Sequence, residues 1–249
     1  VNALTAREVG TAARPSLAER VAGLDWPRIA AELDEFGAAA TGPLLMPDEC
    51  AVLSALYEDE SRFRSRIVMA RHGFGRGEYQ YFRDPLPAAV ADLRHAFYPR
   101  LVPTANAWNE RLGADVRYPE AHADFLARCH AAGQTRPTPL LLKYGAGDFN
   151  CLHQDLYGEH VFPLQVAMLL SEPGRDFTGG EFVLTEQRPR QQSRAEVVPL
   201  AQGEGVIFAV SHRPAAGSRG DYRVTLRHGV SRIRSGRRTT LGVIFHDAA

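Results

Sequence analysis

The sequence predicts an α+β protein in which a helical front half buttresses an antiparallel β-barrel or sandwich, and three observations carry that expectation. Apolar residues recur at helical spacing through much of the first 136 residues. At QTRPTP, near residue 137, the texture changes to short β-branched and aromatic runs separated by turn signals. No internal repeat, low-complexity tract or long linker interrupts the 249 residues. One domain is therefore expected over 1–249, with 1–136 as mainly helical support and 137–249 as the β core.

The elements follow in order. In DWPRIAAELDEFG, Asp25 suits an N-cap, Pro27 a first turn, and Trp26, Ile29, Leu33 and Phe36 share one helical face. MPDECAVLSALYE reads as a second helix with an acidic first turn. RSRIVMARHG and GEYQYF read as short strands around a glycine-rich turn. Residues 87–112 and 119–132 read as helices, the first interrupted at Pro99 and Pro103, because proline removes a helical N–H and clashes with the preceding turn. Beyond the boundary, LLLKY, FPLQVAMLL, GEFVLTE, AEVVPL, GVIFAV, YRVTLRHGV and RTTLGVIFH supply the strands of an antiparallel sheet structure.

Composition narrows the function classes. A hydrophobic fraction of 45% fills a core without staples, and three cysteines (Cys50, Cys129, Cys151) with no CxxC spacing form neither a disulfide framework nor a structural zinc site. No apolar run is long enough to span a membrane, and VNALTAREVG lacks the charged head and apolar middle of a secretory signal, so a soluble, cytoplasmic protein with no membrane partner is expected. The formal net charge is zero, which removes any long-range pull on nucleic acid by the whole molecule. Charge is nevertheless uneven: residues 187–238 hold eleven Arg against Glu196, Glu204 and Asp221, a local balance of +8. Lys143 is the single lysine, so positive charge sits almost entirely on guanidinium forks suited to carboxylates and phosphates.

Two HxD triplets compete as metal sites. His122-Ala123-Asp124 falls in a helical segment, where side chains two apart point in widely different directions. His153-Gln154-Asp155 follows a predicted strand, and residues two apart on an extended chain share a face, so only this pair has chelating geometry. A third ligand must come from elsewhere in the β region, from among His160, His212, His228 and His246. In YRVTLRHGV the alternation Val224, Leu226, His228 turns the imidazole of His228 inward with the core. His212, among the loop signals of SHRPAAGSRGD, is the alternative, and His246 near the end reads as ordinary. Two His and one carboxylate on one face of an octahedron suit non-haem Fe(II), with zinc as the rival ion.

In the last strand, Arg238, Thr240, Gly242 and Ile244 share one face and Thr239, Leu241, Val243 and Phe245 the other. A guanidinium inside a barrel is costly unless a carboxylate meets it, so an anion is expected at Arg238, while Arg237, of opposite parity, faces away.

These residues, with Tyr144 upstream, the TGGEF turn at 178–182 and GEGVIF at 203–208, resemble the Fe(II)/2-oxoglutarate-dependent dioxygenases, in their prolyl-hydroxylase-like branch. The resemblance covers residues 138–247, and the whole chain looks like a bacterial family named for oxidative demethylation of damaged nucleic acid. It implies a double-stranded β-helix of jelly-roll, cupin-like type. It implies Fe(II) held by His153, Asp155 and His228; 2-oxoglutarate chelating the iron, its far carboxylate on Arg238 and the Tyr144 hydroxyl; and O2 at the remaining position. The reaction implied is hydroxylation of a C–H bond with decarboxylation of 2-oxoglutarate to succinate. Cys151 reads as a small apolar filler, although iron beside it would favour its oxidation.

Three functions follow. Oxidative demethylation of alkylated nucleic acid gains from Arg188, Arg190 and Arg194 in QRPRQQSR, a loop able to follow phosphates, and loses from zero net charge and the lack of an aromatic wedge there. Hydroxylation of a prolyl or other residue in protein or peptide fits the branch. A non-catalytic β-barrel binding module would not need all three ligands and the arginine.

Overall fold

The computed structural model describes residues 14–218 and 220–249. The VNALTAREVG segment, on which the expectation about a leader rests, lies outside the described residues. Helices α1 (Leu17–Ala22) and α2 (Trp26–Phe36) lead into strand β1 (Ala38–Pro43), followed by α3 (Pro47–Ala55), β2 (Phe63–Val68), β3 (Gly75–Arg76), β4 (Glu78–Phe82), α4 (Ala88–Arg111) and α5 (His122–Ala131). The remainder is strand: β5 (Leu140–Gly145), β6 (Phe149–His153), β7 (Leu164–Leu169), β8 (Phe177–Gly179), β9 (Phe182–Gln187), β10 (Arg194–Val198), β11 (Glu204–Ala209), β12 (His212–Ala215), β13 (Tyr222–Val230) and β14 (Ile233–Val243).

The strands form two antiparallel sheets. The first runs β1-β11-β7-β14-β5-β4-β2, with β8 on β14; the second runs β10-β9-β13-β6-β3, with β12 on β13. Inward residues of both sheets, including Val166, Met168, Val206 and Phe208 of the first and Phe182, Leu184 and Leu226 of the second, join one buried apolar cluster. Ile29, Leu33, Phe97 and Trp108 of the helices belong to the same cluster. No helix among the described residues is long and apolar enough to cross a membrane.

Local sequence accounts for most boundaries. Asp25 caps α2 by accepting from the Arg28 N–H at 3.1 Å, and Gly37 ends it at φ 79°, a left-handed conformation that favours glycine. Three expectations need correction. First, Pro99 and Pro103 do not interrupt α4, which runs 24 residues through both. Both prolines sit on its exposed face, where the carbonyls they leave unbonded reach water, while Leu93, Phe97, Leu101 and Trp108 hold the opposite face in the core.

Second, the β core is not confined to 137–249: the expected strand β4 pairs with β5, and β1, which the sequence did not signal, pairs with β11, so front-half strands extend the first sheet at both ends. AAATGP carries little β-propensity, and β1 forms because β11 offers it a partner edge. Third, part of SHRPAAGSRGD is strand, since His212–Ala215 pairs with β13. Arg213 there is 2% exposed, donates to the carbonyls of Asp34 and Glu35 at 2.7 Å, and pairs with the buried Glu186.

The chain after β14 is held by buried polar contacts. Arg94 of α4 donates to the Ile244 carbonyl at 2.8 Å and to Asp247 at 2.6 Å, and His130 meets the other Asp247 oxygen at 2.8 Å. Burial lowers His122 to about 3 and His246 to about 4. Each imidazole binds a proton near pH 6.5 when unfolded but not when folded, so this contribution to stability is complete above pH 6.5 and is lost as pH falls towards 4. The expected cost is about 1.4 kcal/mol per pH unit per histidine. The urea midpoint should fall between pH 6.5 and 5.5, and less steeply in His122→Gln; identical slopes would refute the assignment.

Candidate active site

His153 and His228 face one another across neighbouring strands, as direct partners in the β6–β13 ladder. That register brings the imidazole centroids to 4.2 Å. Asp155 lies two residues past the end of β6, and the extended chain keeps its carboxylate on the same face: Oδ1 is 3.4 Å from His153 Nε2 and Oδ2 is 3.4 Å from His228 Nε2. One donor atom from each residue lies within 4.8 Å of the other two, a set able to hold one metal ion.

Surrounding groups orient the donors. The Cys151 carbonyl accepts from Nδ1 of His153 at 2.8 Å, which leaves the Nε2 lone pair directed at the centre. Phe208, with its ring centroid at 4.5 Å, and Phe182, stacked at 6.1 Å, wall His228 on the protein side. Tyr157 donates its hydroxyl to Asp155 Oδ1 at 2.7 Å.

Burial works against the Asp155 charge, but the two imidazoles outweigh it and hold the carboxyl well below its usual range. Burial lowers His228, while at His153 burial is overcome by the same carboxylate and the imidazole is raised. An ionised Asp155 and a neutral His228 are the ligand forms a cation needs.

Behind this cluster lies a cavity of about 330 Å³ lined by Arg238, Thr240, Gly242 and Ile244 of β14, the face the alternation predicts. Arg238 is 3% exposed and among the described residues meets no carboxylate; Nη1 donates to Thr240 Oγ1 at 2.5 Å, and Nε has no partner there. Burial lowers its pKa to about 10, which leaves it charged at neutral pH. Tyr144, its direct partner in the β14–β5 ladder, also points a hydroxyl without a hydrogen-bond partner into this space.

Of nine orphaned buried side-chain atoms among the described residues, those of Tyr144, Gln165, His228 and Arg238 belong to residues lining this one cavity. Natural interiors rarely leave such groups unpaired, and their concentration here, with a guanidinium among them, gives the cavity the chemistry to take a polar, anionic ligand. Gly180 of the TGGEF turn makes the approach possible. At φ 68°, a Cβ there would lie 2.2 Å from the Ile233 side chain and 3.0 Å from the Arg238 stem. Arg237 is exposed on the other side of β14.

The other candidates lie apart from the centre. His122 is buried in α5 with Nε2 on the Phe245 carbonyl at 2.7 Å, while Asp124 is exposed, as helical geometry requires. His212 Nδ1 pairs with Ser211 Oγ at 2.8 Å on outer strand β12. Cys151 is exposed rather than an apolar filler, and its contribution is the carbonyl that orients His153. In QRPRQQSR, Arg188 donates to Glu186 at 2.6 Å and Arg194 lies 3.6 Å from it, so two of the three arginines are drawn to a carboxylate.

Sequence reasoning missed Tyr157, although it continues the alternation of 153 and 155. It also missed Tyr79, Tyr81 and Gln165, which line the cavity from other strands and carry no local signal.

Residues 77–248 match the family Oxygenase-NA, described as an oxygenase catalysing oxidative methylation of damaged DNA. The match begins well before residue 138 and so takes in strand β4 and helices α4 and α5 along with the later strands. The chain is 54% identical to the uncharacterized proteins MT2286 and Rv2227 of Mycobacterium tuberculosis over 168 residues, 68% of its length and 72% of theirs. One similar solved structure is a prolyl hydroxylase from Trichoplax adhaerens in complex with a hypoxia inducible factor oxygen degradation domain peptide fragment: 13% identity, TM-score 0.53, covering 93% of this chain and 92% of that one. Another is an oxidoreductase of the 2OG-Fe(II) oxygenase family from Burkholderia pseudomallei: 18% identity, TM-score 0.50, covering 95% and 94%. At these identities the likeness is one of fold.

Proposed function

We propose, from the premise that this chain belongs to the Oxygenase-NA family and is a 2-oxoglutarate- and Fe(II)-dependent dioxygenase, that it removes methyl groups from alkylated bases in nucleic acid by oxidising them. The observation that carries the catalytic part is a single cavity containing both a convergent His-Asp-His set and a buried guanidinium with no carboxylate partner. His153, Asp155 and His228 would hold the iron. Arg238 would take the far carboxylate of 2-oxoglutarate in a charge-assisted pair, with the Tyr144 hydroxyl as a second donor. When bound, iron and co-substrate supply activation of O2, with one oxygen atom leaving in succinate and the other entering a C–H bond.

Hydroxylation at an N-methyl carbon yields a carbinol that breaks down to formaldehyde and the N–H base. Oxidation at this site therefore strips a methyl group instead of adding one. The chain's own residues place and shield. Phe182 and Phe208 keep one flank of the centre dry, and Tyr157 fixes the Asp155 carboxylate. Tyr157→Phe should therefore weaken metal affinity about tenfold to a hundredfold. Titration of the protein with Mn(II) reads this directly, and unchanged affinity would remove Tyr157 from that role.

The two sheets are best read as a double-stranded β-helix: β5, β7, β11 and β14 lie in the first, and the intervening β6, β9 and β13 in the second. One apolar cluster spanning front and back halves supports a single dioxygenase domain. The peptide-hydroxylase reading stays as the second, favoured by the pairing of Arg188 and Arg194 with Glu186. With the ligand set assembled beside Arg238, a non-catalytic module has no support. Succinate and formaldehyde release with N-methylated oligonucleotides, against succinate release with proline-containing peptides, separates the first two. Stimulation by peptide alone would overturn the nucleic-acid reading.

A further inference from the structure

We propose that Phe74, at the mouth of the cavity, is the stacking platform for a base of the nucleic-acid substrate, with Arg71 and Arg76 on the adjoining phosphates; this rests on the nucleic-acid reading above. The segment Arg71–Gly77, RHGFGRG, lies in the front half, away from the arginine-rich loop that sequence reasoning associated with nucleic acid. Its backbone is locked. The Phe74 N–H donates to the Met69 carbonyl at 3.2 Å, and the Phe74 carbonyl accepts from the Cys151 N–H at 2.9 Å. Gly75 and Arg76 then pair with Asn150 and Phe149 of β6, the strand that carries His153. Gly75 adopts φ 122° with its Cβ position 2.3 Å from the Phe149 carbonyl oxygen, so the close approach admits glycine alone.

A loop fixed this firmly had no need to leave a large aromatic in water, yet Phe74 is 47% exposed. It is the one aromatic among the exposed large hydrophobic residues described, and it lines the same cavity as His153, Asp155 and His228. His72 stacks with it, centroids 5.3 Å apart and planes 23° off parallel, so the imidazole backs one face of the phenyl ring. Leu152, 46% exposed, also lines the mouth.

Arg71 and Arg76 are both exposed, and among the described residues neither has a carboxylate or hydrogen-bond partner, unlike Arg66, Arg188 and Arg194. A rigid π-surface flanked by free guanidinium groups at the entrance to a deep site matches a ligand with planar rings and a polyanionic backbone. A prolyl peptide has neither.

The test uses a fluorescently labelled single-stranded oligonucleotide with one N-methylated base, and its counterpart with an abasic residue at that position. Binding is followed by anisotropy, with steady-state kinetics of the iron-loaded enzyme alongside. Phe74→Ala should weaken binding of the methylated strand about tenfold or more and raise KM with little change in kcat. Phe74→Trp should restore binding, and the abasic strand should bind wild type and Phe74→Ala alike. Arg71→Ala with Arg76→Ala should flatten the dependence of log K on log salt by about 1.4, two phosphates at about 0.7 each on a single strand. Val52→Ala, an exposed apolar residue away from the cavity lining, should change nothing.

If wild type demethylates the oligonucleotide but Phe74→Ala binds it equally well, or weakens methylated and abasic strands equally, the platform is overturned and the nucleic-acid reading stands. If wild type neither binds nor oxidises the strand and instead turns over a peptide, both fall.

Discussion

Asp155→Ala and His153→Ala should lose turnover by at least about a thousandfold, while His122→Ala should keep it. Each of the first two removes one of three donors that lie within 4.8 Å of one another, and two imidazoles or one imidazole with a carboxylate cannot keep a ferrous ion on one face against water. Asp155 is the more damaging loss. Among the described residues its carboxylate is the single anion paired with both imidazoles, at 3.4 Å each, and removing it takes away the fixed negative charge that would balance the cation. His122 belongs to an identical triplet pattern but spends its Nε2 on the Phe245 carbonyl inside the helical layer. Measuring succinate release and Mn(II) affinity on all three variants checks the contrast, with thermal melting to confirm that His122→Ala remains folded at the assay temperature. Equal loss of metal affinity in all three would show that the ion sits elsewhere.

Arg238→Met should raise the 2-oxoglutarate concentration needed for half-maximal rate by about a hundredfold or more, the effect expected from losing a desolvated charge pair. Arg237→Met changes it by less than about twofold, since that side chain faces solvent. The same substitution has an opposite signature in the ligand-free protein. A guanidinium 3% exposed and without a carboxylate partner is an electrostatic cost of the apo fold, so Arg238→Met leaves the melting temperature unchanged or raises it. Adding 2-oxoglutarate should then stabilise the wild type by mass action and leave the variant unmoved. A variant that melts earlier and still responds to 2-oxoglutarate would mean that Arg238 is a structural residue and that the co-substrate binds by other groups.

Why some of the site was legible from sequence follows from chain geometry. The alternation of an extended chain is a property of successive residues, so the shared face of His153 and Asp155, the inward turn of His228 after Val224 and Leu226, and the opposite parities of Arg237 and Arg238 could all be read before any fold was known. The helical phase of His122 and Asp124 excluded that pair by the same argument, and the structure buries one and exposes the other. Pro99 and Pro103 show the limit of a local rule. Their helix-breaking tendency was outweighed because both fall on the solvent face of a helix whose other side is buried against the sheets.

What the sequence by itself determined was therefore the set of side chains and their parity: which residues share a face, which carry charge to an interior, and roughly where helix yields to strand. Only the tertiary structure decided which faces meet. The pairing of His153 with His228, of Tyr144 with Arg238, and of the RHGFGRG turn with β6 depends on strand registers between segments far apart in the chain. Register is chosen by how all the buried side chains pack at once, a cooperative outcome that no local window of residues encodes.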